Sequence, residues 1–302
     1  MSADCGARSR STWALLLVLT LGWGCNWPLM KLALAEIPVW TFRSLCVLAG
    51  AAGSFAIARA GGQPSLPPRA HWPRLLGVSL LNVTAWNILI AYGLTLVPAG
   101  RSAILAYTMP LWAALFSFLI LREAIAPRGV VGLLLGMSGI LLLLGEDWPS
   151  LRAAPIGALL VLGAAMSWAM GTVLMKRFPT ALPTSSFTAW QLLLGGVPIG
   201  AGALLLDAGK PIAPLSSGAW VALMYNIVIA FIICYAVWFE IAKRASVIGS
   251  SLGTLAIPVV GVLSSRLVLG EHPHWREYLA LLLVLAAVAT VIVERRSQGR
   301  RA

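Results

Sequence analysis

SAILAYTMPLWAALFSFLILRE, residues 102–123, decides how this chain folds. No charge occurs from Ser102 to Leu121, and roughly 20 apolar residues suffice for a helix to cross a bilayer. Pro110 stands near the middle and Glu123 closes the run. The plan returns in SSLGTLAIPVVGVLSSRLVLGE, residues 250–271. Pro258 follows Pro110 by 148 positions, and Glu271 follows Glu123 by the same 148. Two interrupted apolar helices at matching places in two halves mark a membrane protein built from repeats.

Composition agrees. Of the 302 residues, 59% are hydrophobic and 11% charged, and the mean hydropathy is +0.88. A soluble chain carries about 25% charged residues. The net charge of +12 does not make a nucleic-acid face, because Lys and Arg are scattered between apolar runs. The 13 Trp suit membrane interfaces and cavity walls. Cys5, Cys25, Cys46 and Cys234 show no paired spacing, so neither disulfides nor a metal site is expected. Arg8 and Arg10 precede the first apolar run, but no small-residue cleavage site follows. That run reads as a retained first helix.

Apolar windows place spans at 12–32, 39–58, 75–97, 99–121, 128–145, 155–175, 185–206, 217–239, 246–269 and 275–293. With the N-terminus in the cytoplasm, 7 of 22 Lys and Arg fall outside: Lys31, Arg43, Arg101, Arg152, Lys210, Arg266 and Arg276. The rest lie inside, so both termini are expected in the cytoplasm. Arg43 and Arg266 sit about a turn within their spans and are expected to snorkel to the headgroups. The halves match elsewhere. Trp23 and Trp168, Lys31 and Lys176, Pro38 and Pro183, and Phe42 and Phe187 are each 145 apart. Each half, 1–150 and 151–302, holds five spans. Five is odd, so the second half inserts upside down and the repeat is inverted.

These ten spans, the five-plus-five repeat and the proline-to-Glu motif resemble the EamA family of the drug/metabolite transporter superfamily. Within the superfamily, the length and aromatic-rich spans are similar to bacterial aromatic amino-acid exporters of the YddG type. The resemblance implies an all-α inner-membrane carrier that exports aromatic and other neutral amino acids or related metabolites by alternating access; the expected form is a monomer. No cofactor and no enzymatic activity are implied.

The residues themselves mark a midplane site. Pro110 and Pro258 remove backbone donors that would bond Ala106 and Thr254, and a freed carbonyl in hydrocarbon must face protein, water or ligand. Both prolines are candidate gating kinks. Tyr107 stands beside the first break, and Ser250, Ser251 and Thr254 beside the second. Trp23 and Asn26 add to the wall, with Asn82, Trp86, Asn87, Trp168, Asn226 and Tyr235. Asn82 and Trp86 are four apart, hence on one face of an α-helix. Indole and phenol faces with Asn amides suit a zwitterion bound by stacking and hydrogen bonds without ion pairs.

The acids all fall in loops or at span ends, so no midplane proton carrier is visible and downhill transport is expected. Glu123 and Glu271 are expected to cap the helix that follows each. A proton-coupled multidrug exporter would need a carboxylate in its cavity. An intramembrane enzyme would need paired acids, His or metal ligands. Gly249-Ser250-Ser251-Leu252-Gly253 matches a hydrolase elbow, but it opens a membrane helix with His272 about 30 Å away at helical rise.

Overall fold

The computed structural model describes residues 14–63, 66–123, 127–145, 154–178, 182–210, 214–237 and 256–298. Every regular element among them is helical. In chain order the helical rods are α1, Ala14–Glu36; α2, Val39–Ala60; α3, Arg69–Leu96; α4, Ala99–Leu121. There follow α5, Pro127–Gly145; α6, Ala154–Arg177; α7, Thr184–Leu206; α8, Ser217–Val237; α9, Ala256–Leu269; α10, Trp275–Gln298. Among the described residues, seven of these are long and apolar enough to cross a membrane: α1–α4 and α6–α8. Apolar helices at α5 and α9 are shorter. The expected second break, with Ser250, Ser251 and Thr254, lies outside the described residues.

Proline sets several helix starts. Ile37 and Val97 are extended, as residues before proline prefer, and α1 and α3 end there. Pro38, Pro98 and Pro183 then stand at the N-caps of α2, α4 and α7. The backbone angles of Pro38 and Pro183, 145 residues apart, are nearly identical: φ −55°, ψ 145° and φ −56°, ψ 145°.

α4 is broken where its sequence indicates. One segment ends at Ala106 and the next begins at Met109. Pro110 lies in the first turn of the second segment, where a missing N–H leaves no bond unmade. The break is held locally. Thr108 Oγ1 donates to the Leu105 carbonyl at 2.6 Å and accepts from Trp112 Nε1 at 3.2 Å. Pro110 therefore starts a helical segment. Pro258 is buried within the described part of α9.

α3 and α8 depart from α geometry. Leu80–Ala85 and Tyr225–Ile233 are π-helical, and these stretches begin 145 residues apart. A π register widens the turn and redirects carbonyls, and it recurs at functional sites. Here the Leu81 carbonyl accepts from Ser167 Oγ of α6 at 2.7 Å. The Ala230 carbonyl accepts from Trp23 Nε1 of α1 at 3.1 Å.

Small residues let the rods approach. α2 and α7 form the most extensive helix pair, with Gly196 against Val47 and Leu48. A β-carbon at Gly202 would stand 2.2 Å from Cε3 of Trp40. Gly202→Val is therefore expected to cost about 3 kcal/mol by overpacking. A thermal melt of the detergent-purified variant checks this, and an unchanged midpoint would contradict it.

The ends of this pair are tied reciprocally. Asp207, just past α7, accepts from Thr41 N at 2.9 Å and Thr41 Oγ1 at 3.0 Å at the start of α2. Ser185, at the start of α7, donates to Gln63 just past α2. Burial pushes the Asp207 carboxyl up, but the bonds from Lys210 and Thr41 outweigh it and hold the group below the usual range. A depressed carboxylate contributes stability above its unfolded pKa and loses it as pH falls through the folded value. The wild type should thus lose melting temperature below about pH 4, with Asp207→Asn losing less on acidification. Equal acid sensitivity of the two proteins would contradict the tie.

Candidate functional site

α1 brings one stripe of side chains to the centre of the bundle. Trp23, Asn26, Trp27 and Met30 recur every three or four residues, hence on one helix face. They wall a cavity of about 120 Å³. Trp86, Asn87 and Ile90 of α3 form a second wall, and Trp168 of α6 adjoins it. Ala230, Phe231 and Tyr235 of α8 form a third. Tyr107 and Met109 reach the cavity from the α4 break, where the interrupted helix re-aims its side chains. Arg43 enters from α2.

The aromatic walls recur at a fixed spacing in sequence. Trp86 and Trp168 meet at 5.0 Å between ring centroids. Trp23 stands edge-on to Tyr235 at 5.8 Å, and Tyr235 stacks on Phe231 at 5.7 Å. Trp168 is 145 residues after Trp23, and Phe231 is 145 after Trp86. The cavity is thus faced by aromatic residues from both sides of the chain's midpoint, in pairs 145 positions apart. Phe231 was open to discovery by that spacing, although its own residue type gave no hint of a site.

Of the residues expected at the site, Trp23, Asn26, Trp86, Asn87, Tyr107, Trp168 and Tyr235 line the cavity together. Asn82 and Asn226 are not among its walls. Asn82 lies within the π stretch, where the four-residue face rule does not hold. Its amide packs where a β-carbon at Gly171 would otherwise stand, with Nδ2 4.0 Å from Met175 Sδ. Asn226 is fully buried, and its Nδ2 donates to the Ala222 carbonyl at 2.9 Å. Asn87 does the same to Val83 at 2.8 Å while still facing the cavity. Pro110 adjoins the lining residue Met109, and Pro258 packs within α9.

Arg43 departs from expectation. It does not snorkel: only 2% of it is exposed. Its Nη2 donates to Met30 Sδ at 2.8 Å, its guanidinium lies 5.2 Å from the Phe42 ring centroid, and its Nε has no partner. Packing of α2 against its neighbours encloses it before the stem can reach a headgroup. Arg266, by contrast, is exposed.

At the rod ends two Lys–Glu pairs stand apart from the cavity. Lys31 lies 3.5 Å from Glu271, and Lys176 pairs with Glu123. The lysines are 145 residues apart and the glutamates 148. Each glutamate follows a left-handed residue, Arg122 at φ 55° and Gly270 at φ 66°. Glu271 does cap a helix, but not the one that follows it. Its oxygens accept from Ala99 N at 2.7 Å and Gly100 N at 3.1 Å, at the start of α4. The macrodipole of α4 and the orphan amides of its first turn favour a carboxylate there. Lys31 also donates to the Val97 carbonyl at 2.7 Å, so one cluster joins α1, α4 and the α9–α10 turn. Glu277, in the first turn of α10, is buried against Arg101 at 3.2 Å. Among the described residues no three His, Cys, Asp or Glu side chains gather as a metal site requires.

Known proteins resemble this chain in sequence and in fold. The chain is 24% identical over 288 residues to the probable amino-acid metabolite efflux pump of Escherichia coli, covering 93% of this chain and 94% of that protein. It is 29% identical over 296 residues to the uncharacterized transporter YvbV of Bacillus subtilis, covering 94% and 92%. One crystal structure superposes with a TM-score of 0.65 at 23% identity, over 95% of this chain and 98% of that one. The model of the EamA-like transporter family matches twice, at residues 11–145 and 155–293. With matches on both sides of its midpoint and a cavity faced by both, this multi-pass membrane protein belongs to the EamA-like transporter family.

Proposed function

We propose that the protein is a ten-span carrier of the inner (plasma) membrane that exports aromatic and other neutral amino acids, or related metabolites, by alternating access. The observation that carries this reading is a central cavity faced by equivalent aromatic positions of the two halves. In the proposed architecture residues 1–150 and 151–302 are inverted five-helix repeats with both termini cytoplasmic. The two family matches and the recurrent 145-residue spacing of proline caps and π stretches support it. The efflux function named for the Escherichia coli relative supports the substrate class.

On this orientation Lys31–Glu271 closes the outer end and Lys176–Glu123 the inner end. Rocking of one repeat against the other parts one pair while the opposite pair holds. Among the described residues the cavity walls hold no carboxylate, which speaks against a multidrug or cationic cargo. The carboxylates buried among the described residues, Asp207 and Glu277, are each paired with a cation. Transport therefore runs downhill. The test is uptake of a panel of radiolabelled amino acids by liposomes holding the pure protein. Saturable uptake of phenylalanine and tryptophan is expected, and no uptake of any panel member beyond protein-free liposomes would overturn the reading.

A further inference from the structure

A cationic side chain and an unpaired acceptor face the same small cavity. Arg43 is almost completely buried, and its Nε has no hydrogen-bond partner. Among the described residues its guanidinium donates one hydrogen bond, to the thioether Met30 Sδ, which is a weak acceptor. Among the described residues no carboxylate pairs with it. An ion left uncompensated in the interior is strongly destabilising unless a counter-charge joins it. The second atom is Asn26 Oδ1, buried and also without a partner. Asn26 and Met30 lie four apart on one face of α1, so the Asn26 acceptor and the sulfur that holds Arg43 share that face.

The repeat makes the pair more telling. The residues 145 positions after Arg43 and Asn26 are Thr188 and Gly171, neither charged nor able to replace them. The aromatic walls are duplicated between the halves, but this polar pair occurs once. Duplicated positions can serve the fold. A buried cation present in one half only, aimed at the cavity, answers to the cargo.

We propose that Arg43 receives the carboxylate of the cargo and Asn26 Oδ1 receives its ammonium, so that the cavity recognises the head of an α-amino acid. Guanidinium matches carboxylate as a planar donor fork, which gives both charge and geometry. An amide oxygen accepts from an ammonium. The apolar side chain then rests on Trp23, Trp86 and Trp168. This inference rests on the amino-acid reading above and adds the residues that select the head group. It also replaces recognition by stacking and neutral hydrogen bonds alone with an ion pair at one end.

The test uses the purified full chain and four probes: phenylalanine, 3-phenylpropanoate, phenylalanine methyl ester and phenethylamine. Binding is followed by quenching of tryptophan fluorescence and by the shift in melting temperature. Phenylalanine and 3-phenylpropanoate should bind, with the ester and the amine at least 30-fold weaker. R43Q should lose at least 30-fold for both carboxylates and leave the other two unchanged. N26L should lose about tenfold for phenylalanine and nothing for 3-phenylpropanoate. Because R43Q removes a buried unpaired charge, its ligand-free melting temperature should equal or exceed that of wild type. R43M, apolar and of similar reach, is the second variant should Gln not fold, and R43K should retain part of the carboxylate binding.

Phenylalanine binding that survives both R43Q and R43M would overturn the assignment while sparing the amino-acid reading. Arg43-dependent binding of 3-phenylpropanoate without binding of phenylalanine would overturn the ammonium half and the amino-acid reading together. If the ester and the amine bind as well as the acids, or if no carboxylate binds, the assignment fails outright.

Discussion

Trp168→Ala should lower phenylalanine transport by roughly 30- to 100-fold, with normal membrane abundance. Trp168 pairs with Trp86 at 5.0 Å, and both face the cavity. Truncation removes one aromatic wall and the ring contact that fixes the other. An aromatic pair contributes about 0.5–1.5 kcal/mol beyond burial, and the about 3–5 kcal/mol for truncating a fully buried aromatic is a ceiling for the half-buried Trp168. Part of that cost falls on packing of α6 against α3, so roughly 2–3 kcal/mol is left to appear in cargo affinity. Trp168→Phe should recover most of it. Initial uptake rates across a range of phenylalanine concentrations, normalised to protein in the liposomes, check this. Equal rates for wild type and Trp168→Ala would place the cargo elsewhere.

The second large effect is expected at Glu271. Its carboxylate holds Lys31 and also the first two amides of α4. Glu271→Ala removes the tie and leaves both donors unsatisfied, which costs about 1–3 kcal/mol for each group that water cannot reach. Lys31→Met removes only the cation and leaves the cap in place. Transport should therefore fall more than tenfold in Glu271→Ala and less than threefold in Lys31→Met. A slide of α4 also displaces Tyr107 at the break, so affinity and rate should fall together. Equal, small effects in both variants would show the cluster to be an ordinary surface ion pair, worth under about 1 kcal/mol.

Much of this was legible in the sequence, for identifiable reasons. Apolar run lengths located the seven membrane-length rods among the described residues, because the bilayer sets a length for each. Proline fixed the starts of α2, α4 and α7 and the α4 break, because its ring dictates its own φ and the conformation of the residue before it. The equal spacing of Trp23 and Trp168 marks two residues of the cavity wall. Three features were hidden. The π stretches have no residue signature, so Asn82 was assigned to the Trp86 face by an α-helical rule that fails there. Arg43 resembles any arginine near a span end; its burial depends on how tightly α2 is packed by its neighbours. Glu271 reaches the start of α4, 171 residues distant in sequence, and no local pattern encodes such a contact.

The central claim is that one cavity is presented alternately to the two sides of the membrane. Counterflow tests it most directly. Liposomes holding the pure protein are loaded with unlabelled phenylalanine, diluted into trace labelled phenylalanine, and kept at equal pH inside and out. Alternating access without proton coupling predicts that the label rises transiently above its equilibrium level, driven by outward movement of the unlabelled pool, and that Trp168→Ala abolishes the overshoot. Label uptake indifferent to the internal amino acid, or an overshoot that appears only under an imposed proton gradient and collapses with a protonophore, would contradict the account.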